Sequence, residues 1–201
     1  MIAYPETFIF LGRSGCGKGT QALLLKDYLA ANDPEKRPVF YLESGAQFRN
    51  FISQSNYTAK LSRTVMESGA LQPSFLAVHI WTHLMIEQMD ETKHLIVDGT
   101  PRLLDDTKIF DSAMRFYGRQ APTLVYMNVS NDWSRARLAG RGRSDDSSSA
   151  DVEKRLAWFD TDVMPTIDYF RNNPMYKFIE INGEQTIEDV QKEIIAKAFG
   201  A

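Results

Sequence analysis

The sequence is poor in cysteine, in long apolar runs and in net charge. One cysteine among 201 residues allows neither an internal disulfide nor a four-cysteine zinc site. No apolar run approaches the roughly 20 residues that span a bilayer, and residues 1–10 carry no basic region before their short apolar run, as a secretory signal would. With 23 basic and 26 acidic side chains, no extended surface for nucleic acid or anionic lipid is indicated. We therefore expect a cytoplasmic monomer that binds neither nucleic acid nor membranes.

The composition and the pattern of apolar residues predict one α/β domain. Hydrophobic residues make up 43% of the chain and charged residues 24%, as in ordinary globular proteins. Short apolar runs occupy residues 7–11, 38–42, 94–98, 123–129 and 177–181, and helical patterns cover residues 18–31, 44–53, 58–67, 74–89, 151–170 and 186–198. This interleaving is typical of a parallel sheet covered by helices on both faces. Ligands of such sheets bind beyond the carboxyl ends of the strands.

A glycine-rich segment, residues 12–20, lies between the first apolar run and the first helical pattern. Gly12, four further residues, Gly17 and Lys18 fit a phosphate-binding loop whose final hydroxyl, on Thr20, is displaced by Gly19. Glycines let backbone N–H groups turn toward one anion, and the helix N-terminus adds partial positive charge. We expect Lys18 to contact the outer phosphates of a nucleotide and Thr20 to lie near magnesium. A chance glycine-rich turn is the alternative.

Three further features have two interpretations each. Asp98, at the end of an apolar run, either forms a turn with Gly99 or holds magnesium through water; the neighbouring phosphate loop favours magnesium. Cys16 is either a small filler or a redox-sensitive thiol at an electropositive helix end. Residues 140–150, polar and rich in glycine, are either a connector or a mobile lid that carries arginines over a site.

Several motifs appear in a specific order: residues 15–21, 44–49, 98–102 and 142–146. Together they resemble the adenylate kinase and UMP/CMP kinase family of nucleoside monophosphate kinases, over essentially the whole chain. The resemblance implies a P-loop NTPase fold with a five-stranded parallel sheet and helices on both faces. It divides the single kinase domain into a core (1–43, 90–139 and 151–201), a helical NMP-binding insertion (44–89) and a short lid (140–150). It also implies reversible phosphoryl transfer from an ATP–magnesium complex to a nucleoside monophosphate.

The resemblance further implies roles for individual residues. Those implied to bind ATP are Gly15, Cys16, Gly17, Lys18, Gly19, Thr20, Arg137, Arg141 and Gln185. Those implied to bind the acceptor are Ser44, Arg49, Ala70, Leu71, Gln72, Gly99, Arg102, Asp106, Arg143 and Arg155. Catalysis would depend on Lys18, Arg102, Arg141, Arg143 and Arg155, because fixed positive charges neutralise the transferring phosphoryl group. Thr20 and Asp98 would hold magnesium. Asp145 and Asp146 match the acidic pair of the family's lid.

Some of these residues also have a purely structural interpretation. Each arginine taken alone is equally typical of a surface ion pair, and Ser44 is also suited to capping the helix that follows it.

Asp106 departs from the family pattern. The family usually has a glutamine four residues after the acceptor-gripping arginine, where its amide reads an adenine edge, and this chain has Asp106 there. An ionised carboxylate only accepts hydrogen bonds, so it would match the two donors of guanine better than the donor and acceptor of adenine. GMP or a pyrimidine monophosphate is therefore an alternative to AMP as the acceptor. The alternative is an exposed Asp106, with adenine read by neighbouring backbone. Thr100, where the family usually has an aromatic residue, is a second departure.

Two other functions remain compatible with the motifs. One is a P-loop kinase of another small acceptor, in which Arg49 and Arg102 would have no acceptor phosphate to bind. The other is a catalytically silent nucleotide-binding module. Lys18, Asp98 and the lid arginines, all present, favour an active nucleoside monophosphate kinase over both.

Overall fold

The chain folds into a five-stranded parallel sheet. The computed structural model describes residues 2–140 and 149–200, with side chains described from residue 151 onward in the second segment. The strands are β1 (Thr7–Gly12), β2 (Val39–Glu43), β3 (His94–Asp98), β4 (Thr123–Asn128) and β5 (Lys177–Asn182), in the spatial order β2-β3-β1-β4-β5. All neighbouring strands are parallel, which confirms the predicted fold class.

Helices connect the strands. In the described residues they are α1 (Lys18–Asn32), α2 (Ser44–Ile52), α3 (Tyr57–Glu67), α4 (Ser74–Gln88), α5 (Leu104–Phe116), α6 (Asn131–Ala139), α7 (Ser149–Trp158), α8 (Met164–Asn172) and α9 (Ile187–Phe199). Side-chain caps start several of them: Asn56 accepts the Ala59 N–H at the start of α3, and Ser130 accepts the Trp133 N–H at the start of α6. The segment α2–α4 lies between β2 and β3, where the NMP-binding insertion is predicted.

The apolar strands bury both faces of the sheet. Successive side chains of a strand point to opposite faces, so Ile9 packs in a cluster with helices α4, α5 and α8, and Phe10 packs in a second cluster with helices α1 and α9. Both side chains are fully buried. Fully burying such a side chain contributes about 1.5–3 kcal/mol, so the two helix layers fix the sheet from both sides.

The helix predicted for residues 151–170 is divided. α7 ends at Trp158, a π-helical segment covers Phe159–Val163, and α8 begins at Met164. Pro165, in the first turn of α8, has no backbone N–H to continue the regular ladder. The apolar period alone did not reveal this wider turn.

The parallel register brings the first and third strands to the same edge. Phe10 of β1 lies opposite Asp98 of β3, and Gly12 lies opposite Met127 of β4. The loop after β1 and the carboxylate that ends β3 are therefore neighbours at the carboxyl edge of the sheet.

Candidate active site

One cavity of about 820 Å³ opens at the carboxyl edge of the sheet. Every predicted site residue within the described part of the chain lines it, namely Gly15, Cys16, Gly17, Lys18, Gly19, Thr20, Ser44, Arg49, Ala70, Leu71, Gln72, Asp98, Gly99, Arg102, Asp106, Arg137, Arg155 and Gln185. Arg141, Arg143, Asp145 and Asp146 lie outside the described residues. The fold thus collects side chains from distant parts of the sequence around one space of nucleotide size.

Glycines shape the phosphate loop at its floor. Gly17, immediately before α1, has φ 94° and ψ 8°, a left-handed conformation that other residues rarely adopt. A Cβ on Gly12 would lie 2.5 Å from the Met127 carbonyl oxygen, which no side chain tolerates. Glycine therefore permits both the turn into α1 and the close packing of the loop against β4.

The ammonium of Lys18 lies over this loop. Its Nζ donates to the carbonyl oxygens of Gly12 and Arg13 at 2.8 and 2.9 Å and contacts Cys16 Sγ at 3.5 Å. Cys16 itself is 3% exposed and packs in the cluster beneath α1. Carbonyl oxygens of the loop therefore hold the Lys18 ammonium, and the Cys16 side chain fills space in the buried cluster.

Arg13 ties the loop to the π-helical segment. Its guanidinium stacks over the Phe159 ring at 4.3 Å, pairs with Asp160 at 2.8 Å, and its Nε donates to the Val129 carbonyl at 3.3 Å. Sequence reasoning did not select Arg13, since its partners lie far away in the chain.

Asp98 approaches the phosphate loop closely. Its Oδ2 accepts the Tyr41 hydroxyl at 3.1 Å and would lie 3.2 Å from a Cβ on Gly19. Burial raises the pKa of Asp98, while the positive Lys18 and the Tyr41 hydroxyl oppose that rise. Glu43, which lies opposite Asp98 in the register of β2 and β3, adds a second negative charge that also raises the pKa of Asp98. Within the described residues, no three His, Cys, Asp or Glu side chains form a metal-binding group.

Arg102 and Ser44 are fixed by the turn that follows β3. Gly99 takes a left-handed φ of 76°, and its carbonyl accepts from Arg102 Nε at 2.7 Å and from Ser44 Oγ at 3.0 Å. Ser44 also donates to the Asp98 carbonyl at 3.1 Å. Ser44 does not cap α2, because Glu43 occupies the N-cap; the capping interpretation was wrong.

Arg49 faces the same region from α2. It pairs with Glu43 at 2.7 Å, and both side chains line the cavity. The Arg49 Nη1 would lie 3.1 Å from a Cβ on Gly45, so the missing side chain at that position leaves space for the guanidinium. Arg49 and Arg102 thus each bring a guanidinium group to the lining of the cavity.

Helix α7 closes one wall of the cavity. Trp158 lies beneath Arg102, with the guanidinium 5.6 Å from its ring, and its indole N–H donates to the Gly69 carbonyl at 3.0 Å. Lys154 donates to the neighbouring Ser68 carbonyl at 3.3 Å. These contacts join α7, which carries Arg155, to the turn between α3 and α4.

Helix α6 and the turn after β5 also line the cavity. Arg137 stacks over Trp133 at 4.9 Å, and the Gln185 amide donates to the Asn182 carbonyl at 2.9 Å and to Glu193 at 2.6 Å. Gly183 in this turn packs against Val129, from which a Cβ would be 2.5 Å away. This part of the cavity therefore offers a guanidinium group, an indole ring and backbone, against which a flat ring could pack.

Asp106 lies buried in the cavity wall. Its residue exposure is 2%, so the alternative of an exposed Asp106 was wrong. Burial raises its pKa, while hydrogen bonds from the Ser74 side chain and the Leu103 backbone lower it. Its Oδ1 has no hydrogen-bond partner among the described residues. The carboxyl group is thus held in place and retains an unsatisfied acceptor.

Comparison with known proteins agrees with the motifs and the fold. A family model described as adenylate kinase matches residues 10–175. The chain belongs to the adenylate kinase family. It is 29% identical to adenylate kinase 1 of Nostoc sp. over 188 residues, which cover 94% of this chain and 96% of that relative.

Two other adenylate kinases match the chain with a similar identity and over a similar share of its length. The chain is 28% identical to the adenylate kinase of Corynebacterium urealyticum, with 92% of this chain and 94% of the relative covered. It is 27% identical to adenylate kinase isoenzyme 1 of Caenorhabditis elegans, with 94% and 85% covered. As a member of this family, the protein is an ATP-dependent nucleoside monophosphate phosphotransferase. No helix in residues 2–140 and 149–200 is both long and apolar enough to cross a membrane.

Proposed function

We propose that the protein transfers the γ-phosphoryl group of ATP reversibly to a nucleoside monophosphate that lies head to head with ATP in this cavity. The observation that carries the proposal is the lining of the cavity. It combines the glycine-rich loop and Lys18 with the guanidinium groups of Arg49 and Arg102. Two nucleotides that enter from opposite ends meet at their phosphates between these groups.

Donor binding rests on the phosphate loop. The N–H groups of residues 15–20, at the N-terminus of α1, would hold the β- and γ-phosphates, since a helix N-terminus attracts anions. Lys18 would exchange its contacts with the Gly12 and Arg13 carbonyls for the outer phosphates. The adenine would lie between Arg137 and the turn at Gln185.

The residues beside the loop fit magnesium. Mg²⁺ usually takes only one or two protein oxygens and completes its shell with water and substrate phosphates, so a single carboxylate is sufficient. Asp98 would hold the ion, through water, with the Thr20 hydroxyl nearby, because Gly19 lets the carboxylate come close to the loop. Bound there, the ion would offset the negative charge of the ATP phosphates.

The acceptor phosphate would bind between Arg49 and Arg102. One of its oxygens attacks the γ-phosphorus, the bond from that phosphorus to the β–γ bridging oxygen breaks, and ADP leaves with the electron pair. No general base is needed, because the acceptor oxygen is already anionic. The fixed charges of Lys18, Arg102 and Arg155 would face the charge that spreads over the transferring group. Arg141 and Arg143, outside the described residues, are expected to add to them.

A direct assay tests this proposal. The purified protein is mixed with ATP, Mg²⁺ and each of AMP, GMP, CMP, UMP and dTMP, and diphosphates are measured by chromatography, with Lys18→Met as the inactive control. Diphosphate formation by the native chain, and not by the variant, supports the proposal. Nucleotide binding without any product would support the silent module instead, and ATP consumption only with a non-nucleotide acceptor would support a kinase of another class. The cytoplasmic location and monomeric state stay predictions.

A further inference from the structure

The carboxyl group of Asp106 is placed as a ligand-reading group. It is the third residue of α5, where a carboxylate accepts the N–H of the residue before the helix, here Leu103. This capping explains why an acidic residue is tolerated so deep in the wall, and the Ser74 hydroxyl adds a second donor. Capping does not explain Oδ1, which is buried and lacks a partner among the described residues.

The surrounding wall is apolar or already engaged. Phe48, Leu71 and Ala77 line the same cavity and offer only apolar surface. Gln72 also lines it, but its amide accepts from Ser62 Oγ at 2.8 Å and donates to the Ser62 carbonyl at 2.9 Å. The neutral amide of Gln72 is therefore held within the insertion, whereas Asp106, which lines the same cavity, keeps one carboxyl oxygen without a partner among the described residues.

The nucleobases differ in what they offer to such a group. Adenine and cytosine pair one amino donor with a ring nitrogen acceptor, and uracil and thymine place one N–H between two carbonyl acceptors. Guanine alone among them presents two adjacent donors, N1–H and the 2-amino group, on one edge. A carboxylate is an acceptor-only group, so every base except guanine would bring a lone pair against a carboxylate oxygen in a desolvated site.

We infer that Asp106 reads the base of the acceptor and selects guanine, so that the preferred acceptor is a guanine nucleoside monophosphate. The inference rests on the proposed function, in which Arg102, four residues earlier on the same wall, binds the acceptor phosphate. The N–H donors of guanine would provide Oδ1 with the partner that it lacks among the described residues, in a charge-assisted hydrogen bond.

A protonated Asp106 is the competing state. It would present one donor and one acceptor, as an amide does, and would match adenine. The donors from Ser74 and the Leu103 backbone favour the ionised form, whereas burial favours the protonated one. The ionised form is the one that a bound guanine stabilises further, and the choice of acceptor distinguishes the two states directly.

The experiment compares kcat/KM for GMP, IMP and AMP, with ATP and Mg²⁺ at pH 7.5. IMP keeps the N1–H of guanine and lacks the 2-amino group. Each mispaired polar group in a buried site costs about tenfold or more, so we expect IMP to fall about tenfold below GMP and AMP about 100-fold below it. In Asp106→Asn, the amide offers a donor and an acceptor, and the preference for GMP over AMP should fall by about 30-fold or more.

The matched control is Asp105→Asn. Asp105 is the preceding residue, its side chain is 83% exposed, and it pairs with Lys108, so the same charge is removed outside the cavity and the order of acceptors should not change. The melting temperatures of both variants are measured as well. A loss of helix capping would lower the melting temperature, whereas a change in specificity alters the order of acceptors. If wild-type protein uses AMP as well as GMP or better, the inference is overturned while the kinase function stands. If no monophosphate yields a diphosphate, the proposed function fails first, and the inference fails with it.

Discussion

Replacing Arg102 by lysine tests the role of the guanidinium beyond its charge. Arg102 Nε donates to the Gly99 carbonyl at 2.7 Å, so one nitrogen anchors the side chain, and the planar guanidinium carries its other nitrogens at fixed angles from that anchor. A lysine ammonium presents its three donors from a single point and cannot reproduce the fixed spacing by which a planar guanidinium bonds the Gly99 carbonyl and binds a phosphate in two-pronged fashion. Losing the anchor costs about 1 kcal/mol, and losing one well-placed donor to the transition state costs about 2.7–4 kcal/mol. A combined loss of about 4–5 kcal/mol corresponds to a fall in kcat/KM of about 10³-fold.

The assay is initial-rate diphosphate formation with the best acceptor from the panel. Arg115→Lys is the matched control: Arg115 lies on α5, its side chain is 59% exposed, and its Nε donates to Asp111 at 2.9 Å, so its rate should stay within about twofold of wild type, as for surface changes generally. Thermal unfolding of Arg102→Lys should match wild type within a few degrees. A folded Arg102→Lys protein that keeps about a third of its activity or more would refute the assignment of Arg102 to the reacting phosphates.

Three further predictions concern the loop and the fold. Gly17→Ala has no atom within 4 Å to strike, so its cost of about 1–2 kcal/mol comes from the left-handed backbone alone, and the KM for ATP should rise about tenfold. Trp158→Phe removes the hydrogen bond to Gly69 and should lower the melting temperature by about 2–4 °C. Burial lowers the pKa of His94, so the folded protein favours the neutral imidazole. The stability that this side chain contributes to the fold is complete above about pH 6.5, the ordinary pKa of histidine. It is lost as the pH falls toward the lowered pKa of the folded state. The free energy of unfolding is measured with urea at pH 7.5 and pH 5.5. Its decrease between the two pH values should be smaller in His94→Gln than in wild type, and should equal that of wild type in the exposed His83→Gln.

The sheet and the phosphate loop were predictable because local sequence determines them. Each strand is a short apolar run that has to be buried on both faces, and this pattern does not depend on partners elsewhere. The loop requires glycine at positions such as Gly17, where the backbone is left-handed, so the residue type itself carries the signal. The division of residues 151–170 at the π-helical segment was missed, since its apolar period continues through Pro165.

The contacts between distant segments were not predictable. The indole of Trp158 reaches the Gly69 carbonyl across 89 positions in the chain, and Arg13 reaches Asp160 across 147. Each of these residues has an ordinary structural role when it is considered by itself. The burial of Asp106 was also beyond the sequence, because it depends on how α4 packs against α5. The motifs identified the family, whereas the environment of individual side chains required the structure.

The close approach of Asp98 to the phosphate loop accounts for two features of that loop, the glycine at position 19 and the hydroxyl at position 20. The hydroxyl expected directly after Lys18 is absent, and Gly19 stands in its place. A Cβ at that position would lie 3.2 Å from Asp98 Oδ2 and 4.0 Å from the Tyr41 hydroxyl, so any side chain there would press on the buried carboxylate. Moving the hydroxyl one residue on, to Thr20, which still lines the cavity, leaves the carboxylate beside the helix N-terminus. The loop therefore carries its hydroxyl one residue later than the standard phosphate-loop pattern, and the Asp98 carboxylate packs against the start of α1 in the space that Gly19 leaves.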